Sequence, residues 1–461
     1  MKKIGMVSLG CPKNTVDSEL VLGDLTKNGY QITADQREAD VIIVNTCGFI
    51  EASKRESIDA ILDMAQWKTG GKCKRLVVTG CLAERHAEEL LKEIPEIDLM
   101  LGVNQYPNLK NILGESLRDE PDGNGSGNGA PGPAKTGRAQ RRNHVHDPAQ
   151  YFESYANRVL TTPGYTAYVK IAEGCSNKCA FCIIPKMRGP FRSRPLESVV
   201  EEARGLAARG IKELNLISQD TTMYGFDLRM KDGLVRLLRA LGGVDGVEWL
   251  RLLYCYPTFV TSEAIDAIAS EEKVCKYVDV PLQHTHDAML KRMKRQETEK
   301  QVRQMLDELR RKIPGVALRT TFIAGFPGEK AEHFRHMVRF VEEMEFDHVG
   351  VFVYSNEEGT AAYGYDGKVS RKTAEARRDE LMSVQREISR RKNAGRVGQT
   401  FPVLVEGSDA EEGYLTTGRL ASQAPEIDGQ VILEECSALP GDIIPVRVTG
   451  ATEYDLVGRP V

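Results

Sequence analysis

Short runs of uninterrupted apolar residues alternate with helix-length segments along most of the chain. The runs at 4–9, 41–44 and 76–78 are rich in β-branched residues, and helical patterns follow near 16–28, 52–66 and 85–93. Strands that are apolar throughout, each followed by a helix, predict a parallel α/β sheet covered on both faces. The same alternation returns further on, with strands expected at 165–171, 213–217, 247–253, 277–280, 317–323 and 348–354, and helices between them such as 196–209 and 300–312. Six such units fit an open or closed β/α barrel of parallel strands. From 397 onward the texture changes to short strands and turns, which predicts a small all-β barrel.

Two segments interrupt this pattern. Residues 119–147 include DGNGSGNGAPGPAKTG and hold a single large aliphatic residue, Val145, so they are expected to form a flexible linker. Residues 371–396 read as a basic helix of net charge +5. The expected division is therefore an amino-terminal domain over 1–118, a linker over 119–147, a barrel with its basic helix over 148–396, and a terminal β barrel over 397–461.

Composition narrows the class. The 461 residues are 41% apolar and 28% charged with a net charge of −4, ordinary for a globular protein and not that of a globally basic nucleic-acid binder. The start of the chain lacks a secretory core, and no stretch approaches the ~18 apolar residues of a membrane span, so a cytoplasmic location without membrane attachment is expected. Ten cysteines are too dilute for a disulfide scaffold, and clustered cysteines in such a setting point to metal or catalysis.

Six of the ten fall into two groups. Cys175, Cys179 and Cys182 are spaced Cys-x3-Cys-x2-Cys in the loop after the first barrel strand, at the end of the strands where barrel active sites are built. Three thiolates can hold three irons of a cubane and leave the fourth open to a small molecule. The alternative is structural zinc, which wants a fourth ligand that no nearby Cys or His supplies. Cys11, Cys47 and Cys81 each lie one or two residues past an apolar strand and just before a helix. Parallel, adjacent strands would bring their sulfurs to one crevice at the carboxyl edge of the sheet; the alternative is three buried structural thiols. Cys73, Cys255, Cys275 and Cys436 lack this context and read as structural.

The Cys-x3-Cys-x2-Cys spacing, with Phe181 just before the last cysteine, resembles the radical S-adenosylmethionine superfamily. The resemblance implies a 4Fe-4S cluster whose open iron is chelated by S-adenosylmethionine, and reductive cleavage to a 5′-deoxyadenosyl radical. It makes Phe181 a candidate cofactor contact beside the adenine, with core packing as the other reading. The turn Ile323-Ala324-Gly325-Phe326-Pro327-Gly328-Glu329 resembles the family's cofactor-lining turn, and Ser218-Gln219-Asp220-Thr221 is a second candidate; either could be an ordinary β/α turn. His284 and His286 could line a substrate pocket, although a loop pair of this kind is more often hydrogen-bonding structure.

The order of domains, with the phrases SLGCPKNTVDSE, VNTCGFI, CSNKCAFCIIPKMRG and GRLASQAPEIDG, resembles the methylthiotransferases, and within them the ribosomal-protein, RimO-type branch. The resemblance implies two 4Fe-4S clusters, S-adenosylmethionine and a reducing electron donor. It also implies methylthiolation of an aspartate β-carbon in small-subunit ribosomal protein number twelve, free or on the ribosome. The terminal barrel resembles the TRAM module, often an RNA binder, yet residues 397–461 carry three Arg, no Lys and eleven Asp or Glu. That charge is expected to repel RNA and attract a basic protein. The competing readings are a tRNA adenosine methylthiotransferase and a non-catalytic iron–sulfur carrier or sensor.

Overall fold

The structure, a computed structural model, describes residues 1–118, 142–145, 155, 157–409 and 415–461. It divides into two compact units. One comprises Met1–Thr161 with Gly174–Ser176 and Ile183–Pro190; the other comprises Thr162–Glu173, Asn177–Cys182 and Phe191–Val461.

The first unit is built on six parallel strands: β1 (Lys3–Ser8), β2 (Gln31–Ile32), β3 (Val41–Thr46), β4 (Arg75–Gly80), β5 (Leu99–Leu101) and β6 (Asn143–His144), in the order β2-β1-β3-β4-β5-β6. Alternation along each strand splits the core into two layers. Ile42, Val44, Leu76 and Val78 face one layer with Ile61, Leu82 and Ala87 of the helices Glu51–Ala65 and Cys81–Glu93. Val41, Ile43 and Val77 face the other, with Val21 and Leu25 of the helix Pro12–Lys27 and Leu109 and Leu113 of Leu109–Arg118. A strand apolar on both sides is thus the signature of a sheet sandwiched between helices.

The linker expected over 119–147 lies largely outside the described residues, and at 143–144 the structure departs from it. Asn143 and His144 pair with Met100 and Leu101 as the edge strand β6, and Val145 packs on the first core layer. Two polar residues make no apolar run, so nothing in their sequence announced a strand. The first unit also extends past 147 to Thr161. The buried carboxylate of Glu19 holds the returning chain: it pairs with Arg158 and accepts the Thr161 N–H at 2.6 Å.

In the second unit, β7 (Thr166–Lys170) is followed by a short antiparallel pair, β8 (Ala172–Glu173) with β9 (Arg192–Ser193), and then by β10 (Glu213–Ile217), β11 (Trp249–Leu252), β12 (Val274–Asp279), β13 (Ala317–Ala324) and β14 (His348–Val353). The six long strands run parallel in chain order from β7 to β14, with β7 and β14 as the two edges, so the barrel is open. The basic helix, Arg371–Ala394, buries Leu381, Gln385 and Ile388, and Gln385 Nε2 donates to the Phe346 carbonyl at 2.9 Å. The terminal residues form a closed five-stranded barrel from β15 (Thr400–Asp409), β16 (Leu415–Leu420), β17 (Val431–Leu433), β18 (Ile443–Ala451) and β19 (Leu456–Pro460). Buried carboxylates join it to the open barrel, among them Glu213 and Asp428, the latter accepting from Tyr277 at 2.7 Å. Glu213 on β10 accepts from Arg251 on β11 at 3.0 Å and from Arg419 on β16 at 2.6 Å. No helix among the described residues is long and apolar enough to cross a membrane.

Candidate functional site

The strand order β2-β1-β3-β4-β5 places a topological switch between β1 and β3. From there the chain winds outward in both directions, and the crevice beyond the strand ends is where such sheets bind ligands. Cys11 follows β1, Cys47 follows β3 and Cys81 follows β4. Their loops are in contact. A Cβ on Gly10 would lie 3.0 Å from Cys47 Sγ, and one on Gly48 would lie 2.8 Å from Leu82 Cα. Gly80, at φ +96°, turns β4 directly into the Cys81 helix, and a Cβ there would lie 2.4 Å from both Asn45 Oδ1 and the Thr46 carbonyl. Glycine is required on both counts.

Asn14 joins these loops, donating to the carbonyls of Leu9 at 2.8 Å and Thr46 at 3.0 Å. Behind it, Asn45 donates to the Asn14 carbonyl at 3.0 Å and to Ser18 Oγ at 2.9 Å. Arg188, only 3% exposed, donates from Nε to Cys81 Sγ at 3.4 Å and from Nη1 to Asp17 at 2.7 Å. Burial pushes the Cys81 thiol up to about 12; Arg188 pulls it down, while Cys11 and Cys47 push it further up. Cys47 is also raised, chiefly by burial. Burial thus favours the thiol form of both groups, and a bound cation would supply the charge that deprotonates them. No three His, Cys, Asp or Glu among the described residues surround a single ion position. A cubane asks for something else, since it distributes its thiolates over separate irons.

The second group lies in the loop that leaves β8. Cys175 belongs to the first unit, where its N–H donates to the Gly189 carbonyl at 3.0 Å. Cys179 and Cys182 belong to the second, with the Cys182 N–H on the Cys179 carbonyl at 3.1 Å. Arg295 Nη1 donates to Cys179 Sγ at 3.7 Å; its Nε is held by Glu297 at 2.6 Å and its Cζ lies over the Tyr256 ring, 4.0 Å from the centroid. Both candidate turns reach this loop. Asp220, buried, accepts from Asn177 at 2.7 Å, and Gln219 donates to Glu173 at 2.9 Å. Phe181 is half-buried and meets Phe326 of the glycine turn edge-on, with centroids 6.5 Å apart.

The remaining candidates do not join either group. His284 is buried, and its Nδ1 accepts the N–H groups of Thr285 at 2.8 Å and His286 at 3.0 Å. His286 caps the helix Asp287–Arg292. Cys73, Cys255 and Cys275 are buried. Asn14, Asp17, Arg188 and Arg295 were not singled out in the sequence. Each is a polar residue whose burial depends on partners remote in the chain, and the local traces are that Asn14 and Asp17 lie within the phrase that holds Cys11 and that Arg188 stands near the end of the phrase that begins at Cys175.

An open parallel barrel carrying a three-cysteine loop at the carboxyl ends of its strands defines a radical S-adenosylmethionine fold, and residues 169–341 match the Radical SAM superfamily. Residues 3–102 match the uncharacterized protein family UPF0004, and residues 397–461 the TRAM domain. The solved structure of the radical S-adenosylmethionine methyltransferase TsrM from Kitasatospora setae is 16% identical, with a TM-score of 0.54 over 77% of this chain and 72% of that one. The chain belongs to the RimO-type methylthiotransferase family. It is 48% identical to the ribosomal protein uS12 methylthiotransferase RimO of Geobacter sulfurreducens over 99% of this chain and 98% of that protein. It is 47% identical to the protein of the same name from Pelobacter propionicus, with the same coverage.

Proposed function

We propose that this chain transfers a methylthio group to the β-carbon of an aspartate in ribosomal protein uS12, in the cytoplasm, using S-adenosylmethionine and two 4Fe-4S clusters. The observation that carries this reading is that the loops after β1, β3 and β4, which carry Cys11, Cys47 and Cys81, touch one another beside the β1/β3 switch, in a chain related end to end to uS12 methylthiotransferases. Cys11, Cys47 and Cys81 hold the auxiliary cluster of the domain 1–118. Cys175, Cys179 and Cys182 hold the second cluster of the domain 148–396, with 397–461 as the accessory barrel. Each trio leaves one iron for an exchangeable ligand.

When bound, these groups supply what no side chain can, homolysis of an unactivated C–H bond and the sulfur that replaces the hydrogen. The chain's own residues bind and orient. Arg188 and Arg295 present N–H donors to Cys81 and Cys179, and at Cys81 the guanidinium works against the burial that raises the thiol. Phe181 and the Gly325 turn line the S-adenosylmethionine site. A separate reducing partner delivers the electron. The acidic terminal barrel meets a basic protein rather than RNA phosphates.

Iron and sulfide quantitation on anaerobic protein tests the two-cluster assignment. A Cys11/Cys47/Cys81→Ala triple variant should lose about half the iron; unchanged iron would defeat the assignment. Incubation with ribosomes and, separately, with tRNA should place the added mass on uS12. Mass on tRNA would instead identify an adenosine methylthiotransferase, and absence of 5′-deoxyadenosine would leave a non-catalytic carrier.

A further inference from the structure

The segment Ile183–Pro190, which begins one residue after Cys182, packs into the first unit. Ile183 and Met187 form a small apolar cluster with Cys81. Two residues further, the Gly189 carbonyl accepts the Cys175 N–H at 3.0 Å, and a Cβ on Gly174 would lie 2.2 Å from the Pro190 carbonyl. Between these two attachments stands Arg188. Its guanidinium is gripped on three sides, by Cys81 Sγ from Nε, by Asp17 from Nη1 and by the Asn14 side-chain oxygen from Nη2. Arg188 and Asp17 are 3% and 1% exposed in their side chains. A planar fork with three fixed partners has no rotational freedom left.

We infer that Arg188 is a positioning residue that braces the auxiliary thiolate Cys81 to the backbone carrying Cys175 and tunes the reduction potential of the auxiliary cluster through its N–H···S bond. The inference rests on the two-cluster reading above. A plain structural ion pair would be complete with Asp17 alone, yet here one N–H is turned onto sulfur. A cationic donor on a ligand sulfur stabilises the more negative, reduced cluster. Asp17 offsets part of that charge, so the two residues act on the potential with opposite sign.

The test is an EPR-monitored redox titration of the full-length chain, reconstituted anaerobically, in a Cys179→Ala/Cys182→Ala background that leaves the auxiliary signal alone. Arg188→Met is expected to leave about tenfold less reduced auxiliary cluster at a fixed applied potential, a displacement of ~59 mV for one electron. Arg188→Lys, which keeps charge but not the fork, should fall between Met and wild type. Asp17→Asn should move the potential upward. Equal potentials in all variants, or Arg188→Met and Asp17→Asn shifting in the same direction, overturn the inference. Should Arg188→Met not accumulate as folded protein, the sign of the Asp17→Asn shift decides alone: upward supports the inference, and downward or unmoved overturns it. Iron content of the parent chain separates the two failures. One cluster there would sink the two-cluster reading, whereas two clusters with unmoved potentials would sink only the role of Arg188.

Discussion

One trio of cysteines lies within eight residues of a single loop, while the other is gathered from positions 11, 47 and 81. The loop trio needs little more than its own backbone to bring its sulfurs near one another. The dispersed trio exists only when β1, β3 and β4 lie side by side in register, as they do through Val7↔Val44 and Val44↔Val78. The first is a motif and the second is a product of topology, and they should fail differently. The largest effect is expected from the cysteines themselves. Cys179→Ala should abolish 5′-deoxyadenosine release while keeping about half the iron. Cys47→Ala should retain 5′-deoxyadenosine release and abolish methylthiolated product. Chromatography of the nucleoside and mass spectrometry of uS12 read both; loss of both activities in Cys47→Ala would erase the distinction.

The supports beneath the two trios differ as well. The sheet under the dispersed trio is apolar on both faces, whereas the open barrel is tied to the terminal barrel by charge. Glu213 is buried, yet Arg419 and Arg251 outweigh the burial that would raise its carboxyl and hold it at about 2, against an ordinary 4.5. Glu213→Gln removes the shared counter-charge of two buried guanidinium groups and should cost ~3–5 kcal/mol. A depressed carboxyl stabilises fully above its ordinary value and loses that contribution as pH falls from about 4.5 towards about 2. Urea midpoints of wild type and Glu213→Gln should therefore begin to converge below about pH 5 and keep converging towards about pH 2. A constant gap would place the cost in lost packing instead.

A smaller effect probes the register that makes the dispersed trio. Gly80→Ala combines a left-handed φ of +96° with a Cβ 2.4 Å from Asn45 Oδ1, and should cost ~3 kcal/mol together with auxiliary iron. Gly210, at φ +93°, has nothing within 4 Å of the place a Cβ would take, so Gly210→Ala should cost only ~1 kcal/mol and no iron. Denaturant unfolding with iron analysis distinguishes backbone strain from crowding at the site.

The contrast between the trios also explains what could be read from the sequence. β1, β3 and β4 are legible because a strand buried on both faces must be apolar at every position, and the cysteines are legible as the polar punctuation that follows each. Gln31–Ile32 and Asn143–His144 complete the same sheet as edges with no apolar run, so pattern alone passes over them. Asp17 and Arg188 stand 171 positions apart, and in one dimension each resembles a solvated charge. Arg419 illustrates the same limit, because it counts towards the surface charge of the terminal domain yet is 2% exposed and bound to Glu213. Periodicity reports which face is apolar; it does not report which charges have found one another.

Phe181 tests the loop trio at its most subtle. It is the aromatic residue of the motif, and it meets Phe326 edge-on beside Met289, Met293 and Tyr354. An edge-to-face pair of this kind contributes ~1 kcal/mol beyond area burial, so Phe181→Leu should lower stability by about that amount. Packing alone would stop there. A ring that also lines the S-adenosylmethionine site should in addition weaken cofactor binding severalfold, leaving 5′-deoxyadenosine yield at saturating cofactor unchanged. Isothermal titration on the reconstituted protein measures the first quantity and quenched-flow assay the second. Unaltered affinity with reduced stability would make Phe181 a core residue, and would leave the glycine turn that carries Phe326 as the part of this loop's surroundings closest in kind to a cofactor cradle.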